Sequence, residues 1–132
     1  MGRRKKDKRR RIDPPQKQEM SQIIWEFAED FIRMGDTPER KQSLLNAACS
    51  AWNMACGPPE FREKSLKAYV REYRRLNPSA DEEDLADVRS DAEKLMQKKL
   101  AMFPNDLRRI VGARIFPAGD RDRIEIMSAR IE

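Results

Sequence analysis

The chain has 132 residues, enough for one domain with its own core. It carries 28 Lys and Arg against 23 Asp and Glu, a net charge of +5, and no apolar run approaches the roughly 18 residues that a membrane helix requires. Histidine is absent, which removes the side chain best suited to proton transfer near neutral pH and a common ligand for zinc, copper and iron, so no cofactor and no metal site are expected.

The basic residues are concentrated at the start. Arg3, Arg4, Lys5, Lys6, Lys8, Arg9, Arg10 and Arg11 are interrupted only by Asp7, and the chain without that stretch has 20 basic and 22 acidic residues, a net charge of −2. A run of like charge repels itself and buries nothing, so residues 1–18 read as a disordered arm. Phosphate is its natural partner. Such an arm displaces condensed counterions without reading sequence, with affinities of roughly 10⁻⁴–10⁻⁶ M at physiological salt. A nuclear import signal and a plain solubilising leader are the competing readings. Asp13, Pro14, Pro15 and Gln16 follow where a secretory leader would place its apolar segment, and the two cysteines form no disulfide framework. The expected location is therefore cytoplasmic, or nuclear in a eukaryote.

The spacing of Ile24, Phe27 and Phe31 predicts a first helix from about Glu19 to Met34, with Gly35 as a left-handed stop. A second starts at the cap Thr37 with Pro38 behind it and runs to Cys56, where Gly57, Pro58 and Pro59 end it. Its second half, Ala47 to Cys56, has no charge on any side, the mark of a central helix. Asn46, Ser50 and Asn53 recur there at four and three. They are the candidate contact for a small ligand or a partner, and a hydrogen bond to a neighbouring loop is the plainer alternative. Cys49 and Cys56 lie seven residues apart, about 10.5 Å along a helix, too far to bridge each other, and read as small core residues.

The third helix, from Pro59 or Glu60 to Leu76, gathers Phe61, Leu66, Tyr69, Val70, Tyr73 and Leu76 on one broad face. Lys64, Lys67, Arg71 and Arg74, with Arg75, share another, as an ordinary solvated face or as a second contact for a polyanion. The fourth opens on a capping box of Ser79 and Glu82 and carries an apolar stripe to Phe103, with Lys94, Lys98 and Lys99 complementing the helix dipole at its end. Asp84, Asp87 and Asp91 in its first half suit that dipole better than a magnesium site. Beyond Pro104 the period falls to two. Leu107, Ile110 and Val111 read as a lead-in to two strands, Ala113–Phe116 and Arg123–Ile131, around a turn at Pro117–Asp120.

The fold class is mainly α: a four-helix domain over residues 19–104, a β-hairpin over 105–132 packed on it, and the basic arm. No phosphate-binding glycine loop, dinucleotide fingerprint, zinc-protease helix or serine elbow occurs, which points away from an enzyme. The leading reading is a small binding protein that contacts nucleic acid or another polyanion through Arg3 to Arg11, assisted by Lys64, Lys67, Arg71 and Arg74. The alternative is a protein–protein adaptor or regulator in which the arm is incidental. There the hairpin adds a strand to a partner sheet, or the surface near Trp25 and Trp52 docks another protein or a second copy. No membrane partner is expected.

Overall fold

The computed structural model describes residues 20–119 and 121–130, so the arm of Arg3 to Arg11 lies outside the described residues. Four helices are followed by one antiparallel hairpin: α1 (Met20–Ile32), α2 (Pro38–Cys56), α3 (Pro59–Leu76), α4 (Glu82–Met102), β1 (Arg108–Ala118) and β2 (Arg121–Arg130). The mainly α fold with a terminal hairpin is as the sequence implies. None of the described helices is long and apolar enough to cross a membrane.

The helix starts follow local chemistry. Thr37 Oγ1 accepts from the Arg40 amide at 3.1 Å, and Pro38 fills the first position, where a missing N–H is harmless. The capping box of α4 is not Ser79 with Glu82. It is Asp81 with Asp84, because Ala80 N–H already donates to Asn77 O and folds Ser79 into a turn. Gly35 is not in the left-handed region either. It is buried, and a Cβ there would sit 2.9 Å from the Lys41 amide nitrogen, so the residue is small because two backbone segments meet.

Helix α2 is central, packed against every other helix and against β1. Leu45, Ala48, Ala51 and Trp52 lose all contact with water, joined in the core by Ile24 and Phe27 of α1 and Leu95 and Met96 of α4. Its small residues let neighbours approach closely enough to enclose Trp52, whose ring meets Phe27 edge-on at 5.4 Å. The broad apolar face expected for α3 is only half used. Leu66 is buried, whereas Phe61 and Leu76 remain 53% and 61% exposed, since the helix leans on α2 and α4 along its middle and overhangs at both ends.

The hairpin is longer than its pattern suggested. Pairing runs from Arg108↔Arg130 to Ala118↔Arg121, so the expected lead-in at Ile110 and Val111 is strand, as are Pro117 and Ala118. A bulge between Ile110 and Gly112 shifts the register by one, which breaks the alternation and hid those residues from a period-two reading. Gly119, with φ +73°, makes the turn. Ile110, Ile115, Ile124 and Ile126 face the helices and join their core.

A candidate nucleic-acid interface on the hairpin

An isolated two-stranded ribbon is marginal in water, so its position depends on what holds it. Two side-chain amides of α2 do much of this. Asn53 donates from Nδ2 to Ile110 O at 2.9 Å and accepts the Ile110 N–H at 2.7 Å, the exchange a neighbouring strand residue would make. Gln42 donates to Ala113 O at 3.1 Å and accepts from the Ile115 amide at 2.9 Å. Its other N–H goes to Asn46 Oδ1, which fixes the orientation of its carboxamide. Eleven residues of helix span about 16 Å, close to the length of strand between the two clamps. The polar edge of β1 is thereby satisfied by a helix.

Of the stripe Asn46, Ser50 and Asn53, it is Asn53 that bonds the hairpin directly and Asn46 that bonds it through Gln42. Asn53 has both polar atoms engaged with Ile110, Asn46 steadies Gln42, and Ser50 is half-buried between them. Gln42 went unnoticed because it precedes the uncharged half of its helix; its signal was its place one turn before Asn46.

The strand's entry is anchored beneath. Trp52 Nε1 donates to Arg108 O at 2.8 Å, and Lys99 Nζ donates to Asp106 O at 2.7 Å while lying 5.0 Å from the Trp52 ring centre. Lys99 stands in the last turn of α4, as the helix dipole favours, but it is fully buried, and its ammonium is an internal strut under the α4–β1 junction. Burial pushes its pKa below the ordinary lysine value. Asp106 is held below the usual carboxylate range by its ion pair with Arg108, against the opposing effect of burial. Cys49 is buried and burial raises its thiol to about 12; the Cys56 thiol is raised by burial too and faces the carbonyls of Asp106 and Arg108. Both cysteines are free. Trp52 itself has no exposed surface.

With the isoleucines turned inward, the register turns Arg109, Arg114, Phe116, Arg121, Arg123, Glu125 and Met127 outward. Arg114, Arg121 and Arg123 are exposed; Arg109 and Phe116 are half-buried. Four arginines therefore share a face with one acid, Glu125, which Arg114 contacts at 2.8 Å. Phe116 sits between two guanidinium groups, Arg114 at 5.7 Å and Arg123 at 5.8 Å from its ring centre. Such a ribbon is narrow enough for the major groove of a duplex, about 12 Å wide.

No family model, curated protein or solved structure matches this chain.

The basic stripe foreseen on α3 is present as a surface. Lys64, Lys67 and Arg71 are exposed, with no ion pair among the described residues, whereas Arg74 is paired with Glu82 and Arg75 with Glu72. Tyr69 and Tyr73 lean toward α2 and α4, while Phe61 is exposed at the start of the stripe, one turn before Lys64. The described residues contain no cluster of three or more Cys, Asp or Glu arranged to hold a metal ion.

Proposed function

We propose that this chain is a small non-enzymatic binding protein that holds nucleic acid with the outward face of its hairpin, the arm from Arg3 to Arg11 adding sequence-independent affinity. One observation carries the reading: Arg109, Arg114, Arg121 and Arg123 share a solvent-facing side of a ribbon with a single acid and a half-exposed aromatic ring. Arginine suits this task because its planar group meets phosphate oxygens in pairs and stacks on rings. Lys64, Lys67 and Arg71 extend the positive field in a secondary role, with Arg74 weakened by its pairing to Glu82. Among the described residues the adaptor alternative has β2 as its edge for a partner strand, since the carboxamides of α2 occupy that of β1.

The test is the salt dependence of binding to a labelled duplex, followed by fluorescence anisotropy. The variant with Arg114, Arg121 and Arg123 all changed to Gln is expected to bind more weakly, its log–log salt slope reduced by about 2–3, since each phosphate contact contributes about 0.9. Deleting residues 1–18 removes a further part of the slope. A native chain that binds no polyanion, or a triple variant with an unaltered slope, refutes the assignment.

A further inference from the structure

A cleft of about 810 Å³ opens between α1 and the tip of β2, within the range of small-molecule sites. Trp25, Glu29 and Arg33 line one wall, each four residues from the last; Lys41, Arg121 and Arg123 line the other. The two acids in it are already matched. Glu29 accepts from Arg33 at 2.7 Å, and Asp122 accepts from Lys41 at 2.8 Å. Arg121 and Arg123 meet no carboxylate among the described residues. They belong at once to this cleft and to the outward face of the ribbon.

Trp25 is the other informative group. Trp52 is enclosed on all sides, whereas Trp25 keeps part of its indole in a cation-lined opening. The Arg33 guanidinium, paired with Glu29, stands 6.0 Å from its ring centre on a side chain that is 66% exposed. A part-exposed ring with two arginines opposite that meet no carboxylate among the described residues offers what an unpaired base and its phosphate require. A duplex has its base faces stacked away and cannot use such a ring.

We infer that this cleft receives one nucleotide unit of a single strand, its base stacked on Trp25 and its phosphate held by Arg121 and Arg123. The inference rests on the nucleic-acid reading above and adds a preference for single over double strands.

Intrinsic fluorescence tests it, since Trp25 is the tryptophan a base can reach. Titration of the full chain with a thymidine oligonucleotide is expected to quench emission in parallel with binding followed by anisotropy, while a duplex binds with little quenching. Changing Trp25→Ala is expected to weaken single-strand binding about 5- to 150-fold and leave duplex affinity within about twofold, with Trp25→Phe recovering most of the loss. Single-strand binding without quenching in the native chain overturns the inference whatever the variants do. So does an equal loss of single-strand and duplex affinity in a folded Trp25→Ala chain. Failure of the native chain to bind either probe brings down the reading of the outward face, and this inference with it.

Discussion

Asn53 presents a donor and an acceptor to Ile110 on one planar group, so truncating it leaves two backbone groups of a part-buried strand without partners. Asn53→Ala is expected to cost about 1–3 kcal/mol in urea unfolding and to speed hydrogen exchange at the Ile110 amide. Asn53→Asp keeps an acceptor for that amide but turns a carboxylate toward the Ile110 carbonyl. At neutral pH it should therefore be no better than alanine, recovering as acid protonates it. Lys99 gives a pH dependence of determinate sign. Its unfolded value is near 10.5 and burial lowers it in the fold, so between the two values the unfolded chain holds more protons. Raising the pH toward the unfolded value should stabilise the native chain relative to Lys99→Met, measured as the difference in urea midpoint as the pH approaches 10.5.

Among the elements, the glycines separate two kinds of crowding. An alanine at Gly35 would press on the backbone nitrogen of Lys41, which cannot yield, whereas an alanine at Gly112 would meet the mobile end of Met127 at 2.5 Å. Gly35→Ala should lose roughly 1–3 kcal/mol, and Gly112→Ala should stay within about 0.5 kcal/mol of the native chain, both read by chemical denaturation. Sequence alone reached most of this level. The stripes of α1, α2 and α4 and the stops at Gly57 and Pro58 lie close to where spacing and proline placed them. The misplaced details share a cause. Ser79 with Glu82 and Asp81 with Asp84 are equally good boxes on paper, and only the turn from Asn77 to Ala80 chooses between them. Similarly, β1 was underestimated because a bulge interrupts its alternation.

At the scale of the whole molecule, little of the candidate site was legible beforehand. The arm and the α3 stripe announce themselves as runs or helical spacings, but Arg109, Arg114, Arg121 and Arg123 gather only once two strands pair in a particular register. Tertiary pairing also decides that Lys99, which the sequence shows only as a cation near the end of its helix, lies beneath Trp52. The contacts that seat the hairpin give it a mechanical role as well. Arg108 and Asp106 accept hydrogen bonds from Trp52 and Lys99, and Ile110 and Ile115 complete the core, so the ribbon cannot lift away without uncovering the centre of the protein. Whatever grips the outer side of the ribbon is consequently linked to the folding equilibrium of all the helices. A ligand at a hundred times its Kd would raise global stability by about 2.7 kcal/mol, however far its own atoms lie from the buried indole.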